Sequence, residues 1–172
     1  MKILTSACLL LIIILGGCAT DPTYIKHSAK DNFQKSYTEV DVRPVKDYSG
    51  YEGEFDIAKK MTILIKSALR DKGYTIIEKE TANEDALILE SRLLNYKPGS
   101  AFDRWLMPGA GATQVTMKTI MTDMKTGNQI GDIVTNKSVS VGGLFTVGAE
   151  EWILESVAKD LIKEIERRNK AE

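Results

Sequence analysis

Two segments of the chain repeat apolar residues at the spacing of an amphipathic helix. The first follows Asp56, a residue type that caps helix starts, and stops before Gly73. Its apolar positions are Ile57, Met61, Leu64, Ile65, Ala68 and Leu69. The second is near the C-terminus, and its apolar positions are Leu154, Val157, Ala158, Leu161, Ile162 and Ile165. Because each apolar set covers one side of a helix, the pattern predicts two one-sided helices.

Five other segments alternate apolar and polar residues or are rich in β-branched residues, as strands are. They are residues 37–45, 74–78, 86–96, 114–124 and 129–141. Between the last two, Lys125 to Asn128 has turn-forming residues, which predicts a long hairpin. The order β-α-β-β-β-β-α predicts an α+β fold. We expect a two-layer sandwich with a mostly antiparallel sheet of four to five strands and both helices on one face.

The first 17 residues have the form of a bacterial export segment. Lys2 supplies a positive charge, and the largely apolar run from Ile3 to Leu15 is shorter than the roughly 20 residues of a spanning helix. The run ends in Leu15-Gly16-Gly17-Cys18, which resembles the lipobox of bacterial lipoproteins. This predicts cleavage before Cys18 and several acyl chains on the new N-terminus, enough for stable anchoring. An ordinary signal peptide or an uncleaved anchor is the alternative.

The rest of the chain divides into a tether and one body. Residues 18–36 are polar without a sustained period, which predicts a flexible tether on the order of 25 Å long. Residues 37–172 then form a single periplasmic α+β domain. By resemblance to sorted lipoproteins of two-membrane bacteria, Ala19 in place of aspartate after the cysteine implies the outer membrane, with the body on its periplasmic face.

Charge and cysteine content exclude two classes of function. The formal net charge is −1, and basic and acidic residues are interspersed. Nucleic-acid binding needs an excess of lysine and arginine on one face, so we expect no nucleic-acid partner. Cys8 lies in the export segment and Cys18 ends it, so the mature body has no disulfide and no thiol nucleophile.

Residues that could carry catalysis are few. His27, the single histidine, lies in the predicted tether away from any ligand cluster, so we expect no metal and no cofactor. No Gly-x-Ser-x-Gly motif presents a serine nucleophile. Glu52, Glu54 and Asp56 precede the first helix and could form a general acid/base pair, but an acidic run at a helix start explains them better.

Two loop segments carry unexpectedly large apolar residues. The loop 98–113 contains Phe102, Trp105, Leu106 and Met107, and the segment 142–148 contains Leu144 and Phe145. Hairpin geometry brings the two segments together as one apolar rim. Such a rim either caps the core or contacts a partner or membrane surface. The candidate binding residues are Arg104, Trp105, Leu106 and Phe145.

The motifs of these loops resemble one protein family. Asp103-Arg104-Trp105-Leu106, Gly109-Ala110-Gly111-Ala112, the Lys125-Thr126-Gly127 turn and Gly142-Gly143-Leu144-Phe145 are similar to a family of bacterial lipoproteins catalogued as domain of unknown function 4410. The resemblance covers roughly residues 56–168 and implies fold and location, since the family has no established activity. More distantly, the element order is similar to the periplasmic domain of the curli-secretion lipoprotein and to lipoprotein activators of cell-wall synthases.

The sequence therefore predicts an envelope lipoprotein that is not an enzyme. We expect it to be attached to the membrane through its lipid anchor and to bind an envelope protein, with Trp105 and Phe145 as apolar anchors and Arg104 for orientation. One alternative is a hydrolase or lyase that acts on envelope polymers through Glu52, Glu54 or Asp56. The other is an architectural protein without a discrete site.

Overall fold

The computed structural model describes residues 24–26, 33, 36–53, 55–77, 85–100, 111–139 and 149–170. The strands are β1 (Tyr24–Lys26), β2 (Glu39–Val42), β3 (Lys46–Asp47), β4 (Thr75–Ile77), β5 (Leu87–Lys97), β6 (Thr113–Asp123) and β7 (Gln129–Val139). The helices are α1 (Ile57–Asp71) and α2 (Ala149–Asn169). Neither helix has the length and apolarity that crossing a membrane requires, within the part of the chain described.

The strands form one sheet in the order β1-β7-β6-β5-β2-β4, and β3 pairs with β5 beyond the end of β2. The long ladders β5–β6 and β6–β7 are antiparallel, whereas β2 is parallel to both β4 and β5. The predicted α+β class and mostly antiparallel sheet are confirmed. The sheet has seven strands instead of four to five, because β1 and β3 are too short for an alternating pattern to reveal them.

Strand β1 lies inside the stretch for which the sequence predicts a flexible tether. Its three residues pair with Asn136, Thr135 and Val134 of β7 in antiparallel register. The prediction of an unstructured tether from 18 to 36 therefore does not hold for Tyr24–Lys26. Backbone pairing to a sheet edge needs no apolar period, which is why composition missed it. Cys18 and the export segment lie outside the described residues.

Both helices pack on the same face of the sheet. In β6 the residues at alternate positions from Thr113 to Asp123 are buried. Helix α2 packs against β6 and β7, and α1 packs against β2, β3, β4 and α2. In α1 the fully buried residues are spaced four apart, at Ile57, Met61, Ile65 and Leu69. Asp56 caps α1, since its Oδ1 accepts a 2.9 Å hydrogen bond from the Lys59 backbone N–H. The predicted one-sided helices are confirmed.

The sandwich has two chemically different ends. We call the end at the Lys125–Asn128 turn the hairpin end, and the end where β5 and β7 finish and both helices begin the loop end. Helices α1 and α2 run parallel from the loop end, since Lys60 pairs with Glu151 at 2.7 Å near their starts and Lys72 pairs with Glu166 at 3.1 Å near their ends. The loop end holds the candidate site.

Candidate functional site

The two apolar segments leave the sheet side by side at the loop end. β5 finishes at Lys97, β6 begins at Thr113, and Thr113 is paired with Val139, the last residue of β7. The long loop is closed at its base by a 3.2 Å hydrogen bond from the Ser100 N–H to the Gly111 carbonyl. Gly111 has φ of +67°, a conformation that favours glycine. The sequence expectation that both segments start from one place agrees with this topology.

The candidate binding residues themselves lie in parts of these segments outside the described residues. They are Arg104, Trp105, Leu106 and Phe145. Their role as contacts stays a prediction, as does the question of whether the loop caps the core. The same is true of Cys18, His27 and Glu54.

An aromatic cluster lies near the end of β5, where the long loop begins. The Tyr51 and Tyr96 rings meet edge to face with centroids 4.8 Å apart, and Phe55 lies 5.5 Å from Tyr51 and 6.3 Å from Tyr96. Tyr96 is buried near the end of β5, while Tyr51 and Phe55 lie in the connection that leads to α1. Such edge-to-face pairs add roughly 0.5–1.5 kcal/mol each beyond area burial. They join the α1 start to the sheet at the loop end.

Two large aromatic side chains outside this cluster remain open to solvent. Trp152, in the first turn of α2, is 46% exposed, and Tyr48, just after β3, is 61% exposed. The Tyr48 backbone N–H donates a 2.8 Å hydrogen bond to the Leu93 carbonyl, which holds it beside β5. The Lys137 ammonium stands 5.8 Å from the Trp152 ring centroid, a cation–π distance. The loop end thus presents aromatic surface outward.

Sequence reasoning assigned no role to Tyr48, Tyr51 or Phe55, and it named Trp152 only as the residue that the 142–148 segment precedes. Tyr48, Tyr51 and Phe55 lie in a polar stretch with two glycines, and Trp152 is on the polar side of a helix pattern. The available signal was an aromatic residue at a helix position that the apolar period assigns to solvent. A large apolar side chain at such a position, as at Trp152, indicates a possible binding surface.

A buried lysine joins β7 to α2 behind Trp152. Lys137 is 8% exposed, and its ammonium donates to Ser156 Oγ and, at 2.8 Å, to Asp160 Oδ2. The ion pair with Asp160 and the hydrogen bond to Ser156 join β7 to α2. Nothing in the linear pattern around Lys137 indicated it.

Two of the three acidic candidates, Glu52 and Asp56, lie within the described residues. The Asp56 carboxylate is engaged as the α1 cap, and Glu52 is exposed. The described residues contain no group of three or more histidine, cysteine or acidic side chains that could hold a metal ion. The groove between the helices, lined by Leu64, Ala68, Glu155 and Lys159 among others, holds about 170 Å³. That is below the roughly 300–1,000 Å³ typical of small-molecule sites.

These features define a two-layer α+β sandwich whose prominent surface is an aromatic loop end. The chain belongs to the family described as Domain of unknown function (DUF4410), whose model matches residues 31–143. The resemblance found in the sequence motifs is confirmed, although the matched range starts and ends earlier than residues 56–168. No curated protein matches the chain significantly.

Solved structures share the fold at low sequence identity. A PelC dodecamer from Paraburkholderia phytofirmans is 13% identical with a TM-score of 0.59, and the match covers 88% of this chain and 100% of that chain. A hypothetical protein from Chlamydia trachomatis is 10% identical with a TM-score of 0.56, covering 78% and 99%. A DUF330 protein from Xanthomonas campestris is 12% identical with a TM-score of 0.53, covering 77% and 86%. At these identities the likeness concerns the fold alone.

Proposed function

We propose that the protein is a lipid-anchored envelope lipoprotein that acts as a binding or structural module through its loop end. Cys18 carries the anchor, and the body lies on the periplasmic face of the outer membrane. The observation that carries the proposal is the solvent-exposed Trp152 at the end from which both apolar segments depart. An exposed indole beside apolar loops is the composition of a contact surface.

The difference between the two ends of the sandwich supports a contact at the loop end. At the hairpin end, polar groups satisfy one another: the Asn169 side chain exchanges two hydrogen bonds with the Tyr37 backbone, at 2.7 and 2.8 Å. The Lys125–Asn128 turn there is polar and exposed. Among the described residues, the exposed large aromatic side chains are Trp152 and Tyr48, and neither lies at the hairpin end.

In this proposal the candidate residues of the two segments extend the same surface. Trp105 and Phe145 are the apolar anchors, Leu106 adds to the apolar area, and Arg104 fixes orientation through charged hydrogen bonds. Aromatic and arginine side chains dominate the energetics of contact surfaces in this way. Trp152 and Tyr48 continue the surface on the rigid body.

We infer a non-enzymatic role. The cap contact of Asp56 and the exposure of Glu52 supply no paired acid and base, so no observation favours the hydrolase or lyase alternative. A purely architectural role differs from the proposal only in lacking a contact at the loop end, and the experiment below separates the two.

The anchor is tested by the mass of the mature protein from membranes. A chain that begins at Cys18 and carries a diacylglyceryl group is expected, and a Cys18→Ala variant should lack that mass. The contact is tested by placing a photo-crosslinking amino acid at position 152 or, as the control, at the exposed position 125. Position 152 should capture envelope protein or lipid while position 125 does not. Equal capture at both positions, or none at either, would contradict the contact.

A further inference from the structure

The direction of β1 ties the anchor to one end of the fold. β1 is antiparallel to β7, with Tyr24 opposite Asn136 and Lys26 opposite Val134. β7 runs from the hairpin end to the loop end, so the chain enters β1 from the loop side. Cys18 precedes Tyr24 by six residues. We infer that the loop end faces the lipid bilayer and that its exposed aromatic residues contact the lipid headgroup region.

The reach of the connecting residues limits the possible orientations. Six residues span at most about 21 Å in any conformation. Asn136 is three residues before the end of β7, so Tyr24 lies about 10 Å from the loop end of the sheet at about 3.4 Å per residue. The start of β7 at Gln129 is seven residues away from Asn136, about 24 Å, and the hairpin turn lies beyond it. Because about 21 Å is shorter than the distance from Tyr24 to the hairpin turn, the anchor does not allow the domain to stand upright with the hairpin end on the bilayer, whereas it allows the loop end to face the bilayer.

The side chains at the loop end suit a membrane interface. Tryptophan and tyrosine prefer the headgroup level of a bilayer, where the ring is in an apolar environment and the polar atom meets water. Trp152, in the first turn of α2 at this end, is 46% exposed. Lys97, the last residue of β5, is exposed at the same end and can extend its ammonium to lipid phosphates.

Charge is not the basis of this contact. The loop end also carries the exposed acids Glu52 and Glu151, and Glu151 is paired with Lys60. With both signs present, we expect aromatic burial to hold the orientation and anionic lipid to have little effect on it. The inference rests on the proposed function, because it requires the anchor at Cys18. It deepens that proposal by naming the bilayer as the surface that the loop end contacts.

Quenching by brominated lipid measures the orientation directly. The full lipidated protein is reconstituted into phosphatidylethanolamine and phosphatidylglycerol vesicles with ordinary or brominated acyl chains. The chain has two tryptophans, so Trp105→Phe leaves Trp152 as the sole reporter. The control carries Trp105→Phe, Trp152→Phe and Lys125→Trp, which moves the reporter to the hairpin end. We expect the brominated chains to reduce Trp152 fluorescence and to leave the position 125 reporter unchanged.

A second pair of variants retains both tryptophans, so the test does not depend on the folding of Trp105→Phe. Lys97→Cys and Lys125→Cys carry a nitroxide at opposite ends of the sheet, and Cys18 is blocked by its acyl chains. At position 97 the nitroxide should be relaxed mainly by oxygen, which is concentrated in the bilayer. At position 125 it should be relaxed mainly by a nickel chelate that stays in water.

Co-flotation of protein and vesicles separates the possible failures. If the protein floats but Trp152 is not quenched, or if both ends respond equally, the orientation is wrong while the anchor stands. If the purified protein lacks acyl chains and does not float, the proposed lipid anchor at Cys18 is wrong. The proposed orientation, which requires that anchor, is then wrong as well. Selective quenching at position 152 together with oxygen relaxation at position 97 supports the inference.

Discussion

The Tyr37 hydroxyl donates a 2.8 Å hydrogen bond to Asp123 Oδ2, joining residues 86 positions apart in the chain. The other oxygen of Asp123 accepts from the Thr126 N–H at 2.8 Å and from the Thr126 hydroxyl at 2.9 Å. One buried carboxylate therefore holds both the segment before β2 and the β6–β7 turn. This contact closes the hairpin end with polar groups, in contrast to the aromatic loop end.

Removing the Tyr37 hydroxyl should weaken the hairpin end. We expect Tyr37→Phe to lower the free energy of unfolding by about 1.5–3 kcal/mol, because the buried carboxylate loses a donor. Urea denaturation measures the change. The control is Tyr48→Phe, at a 61% exposed position, which should change stability by less than about 0.5 kcal/mol. If the two substitutions lowered the free energy of unfolding equally, the buried Tyr37–Asp123 hydrogen bond would contribute no more to stability than an exposed hydroxyl does.

The Lys137–Asp160 pair should contribute more than a surface ion pair. In Asp160→Asn the ammonium of Lys137, which is 8% exposed, loses its charged partner. Because the pair is partly open to water, we expect a loss of about 2 kcal/mol, below the roughly 3–5 kcal/mol of a fully buried pair. Thermal and urea unfolding both report it.

The matched control is the exposed pair of Glu155 and Lys159 on the same helix. Glu155→Gln should change the free energy of unfolding by less than about 0.5 kcal/mol. Replacing both partners, in Lys137→Met with Asp160→Leu, should recover stability relative to Asp160→Asn because no charge is left unpaired. A double variant as unstable as the single one would argue against a cost from the unpaired lysine.

The stability of the domain should depend on pH through Glu164. Burial raises the pKa of this carboxyl group, but hydrogen bonds from Arg167 and Arg168 outweigh burial and lower the pKa from 4.5 to about 2. The folded state therefore binds the proton less readily than the unfolded state. This stabilisation is complete above about pH 4.5 and is lost as the pH falls towards 2.

Glu164→Gln separates this contribution from the other titrating groups. At neutral pH we expect the variant to be less stable by about 1–2 kcal/mol, because water around the exposed Arg167 screens part of the roughly 1.4 kcal/mol per pKa unit. The difference from the natural sequence should shrink between pH 4.5 and pH 2, measured by urea unfolding at a series of pH values. A difference that stays constant over that range would contradict the role of Glu164.

Neighbouring residues of α2 should respond differently to truncation. Leu154 is fully buried, so Leu154→Ala should cost about 2–5 kcal/mol. Trp152 is 46% exposed, and Trp152→Ala should cost less than about 1 kcal/mol, including its contact with Lys137. Denaturation of the two variants checks this pair. Equal losses would mean that Trp152 is part of the core and is not available for a contact surface.

The same comparison applies to the long loop. If Trp105→Ala lowered the free energy of unfolding as much as Leu154→Ala, Trp105 would cap the core instead of contacting the envelope. We expect a smaller loss in Trp105→Ala, together with weaker capture by the crosslinker at position 152. If the Trp105→Ala variant is folded and capture at position 152 is unchanged, Trp105 is not part of the contact surface.

Elements that repeat a period over many residues are predictable from the amino-acid sequence. The helical spacing from Ile57 to Leu69 and the alternation in β5, β6 and β7 predicted helices and long strands that the structure contains. Each element buries one face, so its period appears in the linear sequence. The family motifs and the hairpin turn are likewise local features, and the structure and the family match confirm them.

The contacts between residues distant in the chain become visible in the folded protein. β1 and β3 are too short to show a period and are recognised by backbone pairing to β7 and β5. The contact of Lys137 with Asp160 and the packing of Tyr51 against Tyr96 join elements that local spacing does not relate. The position of Tyr24 opposite Asn136 fixes where the predicted anchor enters the fold. Such contacts depend on how the chain is folded through space, which no local pattern of apolar and polar residues records.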